Sequence, residues 1–230
     1  MTTASGRPPA RPGGLGSPLV PPGVYAPGDD TFLLAEALTR ERLPAGADVL
    51  DVGTGSGALA LHAARQGARV TAVDVGHRAV LTARLNALRA RRRIAVHRGD
   101  LFTPVLGSSF DLVVCNPPYV PTPEATGPRD RNPAWEAGTD GRDVLDRLCD
   151  GAGEVLRPHG ALLMVQSGLC GVEDTLRRLA RAGLPGTVCD RRWIPFGPVL
   201  RARLPWLRAR GLLTVQDRHE ELVVIRAELP

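Results

Sequence analysis

Ala47-Asp48-Val49-Leu50-Asp51-Val52-Gly53-Thr54-Gly55-Ser56-Gly57-Ala58-Leu59-Ala60-Leu61 reads as a short apolar strand, a glycine loop and the opening of a helix. Glycines let the backbone turn sharply and approach a ligand closely, and a helix that opens directly after them offers unbonded N–H groups. Strand, loop and helix in this order form the first unit of a nucleotide-binding α/β fold. The next apolar segment, Arg69 to Val73, predicts a second strand ending in Asp74. That acid lies about 20 residues beyond the loop, where such folds place a carboxylate for both hydroxyls of a ribose.

The alternation continues outward. Arg78 to about Arg91 predicts an amphipathic helix through Val80, Leu81, Ala83, Leu85 and Leu88, closed by arginines that suit a helix carboxyl end. Ile94 to His97 is a third strand, followed by Gly99-Asp100-Leu101-Phe102. There Asp100 can accept a hydrogen bond from an exocyclic amine, and the Leu101 N–H can donate to a ring nitrogen. A fourth strand, from Phe110, is stopped by Asn116-Pro117-Pro118-Tyr119. Neither proline has an N–H for a sheet ladder. Asn116 and Tyr119 are therefore held at the strand's carboxyl end, where open α/β sheets bind ligands. The Asn116 side chain and the neighbouring carbonyls are acceptors for a planar NH2 group, and the Tyr119 ring can stack on a flat substrate.

Beyond Tyr119, a Pro-, Gly- and charge-rich loop runs from Val120 to about Asp140 and holds Trp135-Glu136-Ala137-Gly138. Long loops in compact domains are usually functional, and this one leaves the expected site, so it is read as a substrate lid. Helices are expected over Val144 to Leu156 and Val172 to Ala182, and strands over Ala161 to Gln166, Gly186 to Trp193 and Glu221 to Ala227. Pro195 to Leu213 reads as an insertion, helical after Pro198. Upstream, Met1 to Gly23 is rich in Pro, Gly and Ser and is expected to be a disordered lead. Asp29 or Asp30 is expected to cap a helix through Phe32, Leu33, Leu34 and Leu38, with Thr31 in its first turn.

Composition narrows the class. A chain of 230 residues with 43% hydrophobic content supports a single large domain, residues 24–230. No apolar run is long enough for a membrane helix, and the N-terminus has no apolar signal region, so the expected location is cytoplasmic. The four cysteines, Cys115, Cys149, Cys170 and Cys189, and the five histidines lack ligand spacing; free thiols and no metal are expected. The net charge of +5 comes with every basic residue an arginine, which permits an acidic or RNA-bearing partner without demanding one.

The glycine loop and Asp74 suit either a nicotinamide dinucleotide or S-adenosylmethionine. Asp51 two residues before the first glycine, the Asp100 turn and, above all, Asn116-Pro117-Pro118-Tyr119 favour the second. With these motifs, and with Val24-Tyr25-Ala26-Pro27-Gly28-Asp29-Asp30-Thr31 and Trp135-Glu136-Ala137-Gly138, the sequence resembles the class I S-adenosylmethionine-dependent methyltransferases. Within them it is similar to the protein-glutamine methyltransferases of the HemK kind, on the archaeal and eukaryotic branch that modifies a translation release factor. The resemblance implies a Rossmann-like, mostly parallel seven-stranded sheet with an antiparallel final strand and helices on both faces. It implies that Tyr25, Thr31, Asp51, Gly53, Gly55, Gly57, Asp74, Asp100, Leu101 and Asn116 hold the cofactor. Thr31 would take its carboxylate end and Asp51 its amino group. Asn116 and the Pro117 carbonyl would accept both N–H groups of a substrate amide, with Pro118, Tyr119 and Trp135 packing around it. It also implies a protein substrate and a small activator subunit on the sheet edge. The family usually has an acid where Ala26 stands. The same Asn-Pro-Pro-Tyr turn serves N6-adenine methyltransferases, so DNA or RNA stays the alternative substrate, followed by a small-molecule amine and then a non-catalytic binding module.

Overall fold

The structure is a computed structural model that describes residues 15–123 and 137–230. In chain order its elements are α1 (Asp29–Arg40), β1 (Asp48–Val52), α2 (Ala58–Arg65), β2 (Arg69–Asp74), α3 (His77–Arg89), β3 (Ile94–Arg98), β4 (Phe110–Cys115), α4 (Asp143–Gly151), β5 (Leu156–Ser167), α5 (Val172–Arg181), β6 (Gly186–Pro195), α6 (Pro198–Ala209) and β7 (His219–Glu228). The strands form one seven-stranded sheet in the order β3-β2-β1-β4-β5-β7-β6. Strands β1 to β5 pair in parallel, while β7 runs antiparallel to both β5 and β6. This is the expected mostly parallel seven-stranded sheet with its antiparallel final strand.

Strand order positions the site. The chain winds outward from β1 to β3, then returns to place β4 on the other side of β1. The connections after β1 and β4 therefore leave in opposite directions and open a crevice at the carboxyl ends of these two strands. The glycine loop follows β1 and Asn116 follows β4, so both line that crevice. The central strands are covered on both faces, as their unbroken apolar runs require: Val49 to Val52 and Gly160 to Ser167 are all buried. Helix α1 lies against β5, β6 and β7 and touches α2, while α4 packs on α5. Leu33, Leu34 and Leu38 of α1 are fully buried, and each such side chain stabilises by about 1.5–3 kcal/mol. The first turn of α1 is thus a rigid mount.

Several local expectations change. Gly28, not Asp29 or Asp30, stands at the N-cap of α1, and Asp30 is buried in the first turn. On α3 the buried face is Ala79, Val80, Ala83 and Ala87, while Leu81, Leu85 and Leu88 point outward. Small residues let α3 sit close to the sheet; periodicity alone does not say which stripe turns inward. Strand β5 begins at Leu156, five residues before the expected Ala161, because Pro158-His159-Gly160 reads as a turn but bulges within the strand. The lead expected to be disordered through Gly23 is packed over residues 15–23: Leu15 is buried beside α1 and α2, and the backbone of Leu19 exchanges two hydrogen bonds of 2.9 Å with the Asn86 side chain on α3.

The insertion contains α6 and has its own apolar cluster of Phe196, Leu200, Leu207 and Leu213, packed against Val120 and Leu169. Arg203 of α6 donates to the Pro121 carbonyl at 3.2 Å and to Thr122 Oγ1 at 3.0 Å, directly after the Tyr119 turn. Most of the expected lid, including Trp135, lies outside the described residues. Its flanks meet, with Thr122 N–H donating to the Gly138 carbonyl at 2.8 Å.

Candidate functional site

The first three residues of the glycine loop are tied to β2. The N–H groups of Gly53 and Thr54 donate to the Val73 carbonyl at 2.9 and 3.1 Å. Asp74 accepts the Gly55 N–H on one oxygen and the Gly76 N–H on the other, both at 2.8 Å. Burial pushes the Asp74 carboxyl up, against the pull of those two bonds. Gly53 and Gly55 have φ of +70° and +53°, and a Cβ at either would find no atom closer than 3.9 Å. Packing therefore leaves room beside them, and the room faces the Asn116 carbonyl, 4.0 Å from a Cβ on Gly53. Gly57 differs: a Cβ there would stand 3.2 Å from Ala83, so close packing of α3 by itself calls for glycine at that position.

Asp51, at the end of β1, is buried and accepts from the Thr54 hydroxyl at 2.6 Å and the Ala60 N–H at 3.0 Å, both on Oδ2. Its Oδ1 has no hydrogen-bond partner. Burial raises this carboxyl to about 7, against the pull of Thr54 and Ala60. A buried acceptor left without a donor costs about 1–3 kcal/mol, so Asp51 suits a ligand that brings N–H groups.

The β3 turn is more open. Leu101 has φ +45°, a left-handed conformation that costs a non-glycine residue about 1–3 kcal/mol. Asp100 is half exposed and ion-paired with Arg147 of α4. No motif points to that guanidinium, which any ligand of Asp100 must share.

After β4, two residues of the turn meet α1. Asn116 Nδ2 donates to Thr31 Oγ1 at 3.2 Å. The Tyr119 ring is buried, its hydroxyl donates to Asp30 Oδ2 at 2.9 Å, and its carbonyl accepts from Cys170 Sγ at 3.0 Å. Tyr25 donates to the same Asp30 oxygen at 2.7 Å, and its Cβ lies 3.9 Å from where a Gly55 Cβ would stand. Burial, then the Asp30 charge, pushes both phenols upward, so both stay protonated donors. Tyr25, Thr31, Gly53, Gly55, Asn116 and Tyr119 thus converge, with Asp51 and Asp74 beneath the loop and Asp100 and Leu101 at the end of β3.

In the sequence Asp30 reads only as a helix cap, and Glu220 carries no mark at all. Glu220, at the start of β7, is buried, bonds the Ser167 side chain and feels the Asp30 charge; burial raises it to about 7. Its Oε1 and the Oε1 of Gln166 have no hydrogen-bond partner. No local signal could have found Glu220, since strand pairing brings it there. Among the described residues no His, Cys, Asp and Glu group has a metal-binding arrangement.

Known proteins are similar to this chain in sequence and fold. The family model described as Methyltransferase small domain matches residues 21–127. A putative protein N5-glutamine methyltransferase of Methanocaldococcus jannaschii is 34% identical over 177 residues, covering 76% of this chain and 88% of that protein. The release factor glutamine methyltransferase of Geobacter sulfurreducens is 39% identical over 180 residues, covering 75% of this chain but only 61% of that longer protein. Among solved structures, the E. cuniculi Mtq2-Trm112 complex responsible for methylation of the eRF1 translation termination factor superposes with a TM-score of 0.66 at 27% identity, covering 90% of this chain and 99% of the matched one.

Proposed function

The chain belongs to the protein-glutamine methyltransferases of the HemK kind, and we propose accordingly that it methylates the side-chain amide nitrogen of a glutamine in a protein, a translation release factor being the substrate. The relatives' substrates support the choice, and one observation carries it: Asn116-Pro117-Pro118-Tyr119 follows β4 beside the glycine cradle, with the Asn116 carbonyl 4.0 Å from a Cβ on Gly53.

The cofactor is S-adenosylmethionine, whose sulfonium supplies an electrophilic methyl group. The residues present fit it. Gly53 and Gly55 leave a cradle that a Cβ would fill. Asp51 has a buried, unpartnered oxygen suited to an ammonium group. Asp74 stands at the end of β2 with lone pairs left for ribose hydroxyls. Asp100 and the Leu101 N–H would meet the adenine edge, and Tyr25 covers Gly55.

A neutral amide nitrogen is a weak nucleophile because its lone pair is delocalised into the carbonyl. Asn116 Oδ1 and the Pro117 carbonyl would accept its two N–H groups, localise that pair and aim it, with Tyr119 and Pro118 walling the site. Alignment of this kind is worth up to about 7–11 kcal/mol. The proton leaves the methylated amide readily afterwards, so no strong base is required.

The small activator fits one edge. Strand β3 is an edge of the sheet, and Leu81, Leu85 and Leu88 on α3 are exposed at i, i+4 and i+7 beside it. A small subunit docking there would cover them, by analogy with the two-protein Mtq2-Trm112 complex. No helix among the described residues is long and apolar enough to cross a membrane.

The test is labelled methyl transfer from S-adenosylmethionine to purified release factor, with Asn116→Ala alongside. Turnover should fall roughly 10²-fold or more in the variant while cofactor affinity stays within about threefold. Near-normal turnover would show that Asn116 does not hold the substrate amide.

A further inference from the structure

Asp30 is 4% exposed in the first turn of α1, and its carboxylate accepts four hydrogen bonds. Oδ2 takes the hydroxyls of Tyr25 at 2.7 Å and Tyr119 at 2.9 Å. Oδ1 takes the Thr31 N–H at 2.5 Å and the Thr31 hydroxyl at 3.1 Å. A threonine hydroxyl has one proton and two lone pairs. With its proton given to Asp30, Thr31 presents only lone pairs to Asn116, 3.2 Å away.

That fixes something otherwise undetermined. The oxygen and nitrogen ends of an asparagine amide have nearly the same shape, so either can face a given contact unless a neighbour discriminates. A lone pair attracts the NH2 end and repels the oxygen. We propose that Asp30 and Thr31 are positioning residues that hold Asn116 in a single amide orientation, with NH2 turned inward and Oδ1 left to accept from the substrate nitrogen. In the opposite orientation Asn116 would present donors to a group that is itself a donor, and the site would repel its substrate. Asp30 also anchors Tyr119, on the same turn as Asn116, and Tyr25, over the glycine loop, so one carboxylate sets both walls of the crevice. This deepens the glutamine reading and rests on it. It also gives Thr31 a different duty from the cofactor contact implied by family resemblance.

Thr31→Val keeps the shape of the side chain and removes the hydroxyl; Thr31→Ser keeps the hydroxyl. With saturating cofactor, Thr31→Val should lower kcat by on the order of 30-fold or more, leave cofactor affinity within about threefold, and be restored to within about threefold by Thr31→Ser. An unchanged kcat overturns the proposal. So does a tenfold or greater loss of cofactor affinity with kcat intact, which would make Thr31 a cofactor contact. A second readout needs neither substrate nor turnover. In the free, full-length protein the Asn116 side-chain NH2 resonances, identified by their loss in Asn116→Ala, should exchange slowly with solvent, and quickly in Thr31→Val or in Thr31→Ala should the valine variant fail to fold. Equal exchange in wild type and variant overturns the proposal even where the protein's substrate is not a glutamine. Slow exchange in the wild type alone supports it in that same case.

Discussion

Gly53 and Gly57 stand four residues apart in one loop, both in left-handed conformations, and the structure assigns them different duties. A Cβ at Gly53 would enter the open cradle, whereas one at Gly57 would press on Ala83 at 3.2 Å. Gly53→Ala should therefore weaken cofactor binding by about tenfold or more while costing about 1–2 kcal/mol of stability from its φ alone. Gly57→Ala should show the reverse balance, with a larger fall in melting temperature and a smaller change in affinity. Calorimetric titration paired with thermal melts separates the two. Glu220 makes a pH-dependent case. Burial raises its carboxyl from 4.5 to about 7, so the folded state favours the protonated form. The stability this group supports is full below the unfolded value and is lost as pH rises through about 7. Glu220→Gln mimics the neutral form. It should melt like the wild type near pH 4 and be more stable at pH 8, by on the order of 2–3 kcal/mol. No difference at pH 8 would mean that Glu220 ionises without cost.

Among the elements, the ones that carry the site are the most legible. Strand, glycine loop and helix over Ala47 to Ala64 are readable because parallel strands are continuous apolar runs and because the glycines mark the turn. The abrupt stop at Pro117-Pro118 is readable because proline has no ladder donor. Less legible is anything set by distant packing. Helix α3 offers two apolar stripes, and only the sheet beneath it selects the small one. The first turn of α1 reads as a cap, because the sequence does not show that Tyr25 and Tyr119 converge on Asp30. The exposed leucines of α3 make their own prediction. Leu85→Glu with Leu88→Glu should leave the melting temperature within a few degrees, since both side chains are already in solvent, and should abolish stimulation by the small subunit proposed to dock there. Co-purification with that subunit checks it, and retained stimulation would move the docking face elsewhere.

For the whole molecule, the sheet order explains why residues from α1, the β1 loop and the β4 turn share one crevice: strand order reverses between β1 and β4, and there the backbone opens. Helix α6, tied by Arg203 to Pro121 and Thr122, sits beside the exit from that crevice. Its position is not readable, because 82 residues separate Arg203 from Pro121 and the motif that marks the site. The decisive measurement is mass spectrometry of purified release factor and added RNA after incubation together with this protein, the proposed small subunit and S-adenosylmethionine. One added methyl group on a glutamine side chain is predicted, absent with Asn116→Ala. A methyl group on an RNA adenine in the same mixture, with the glutamine untouched, would contradict the assignment of a protein-glutamine methyltransferase.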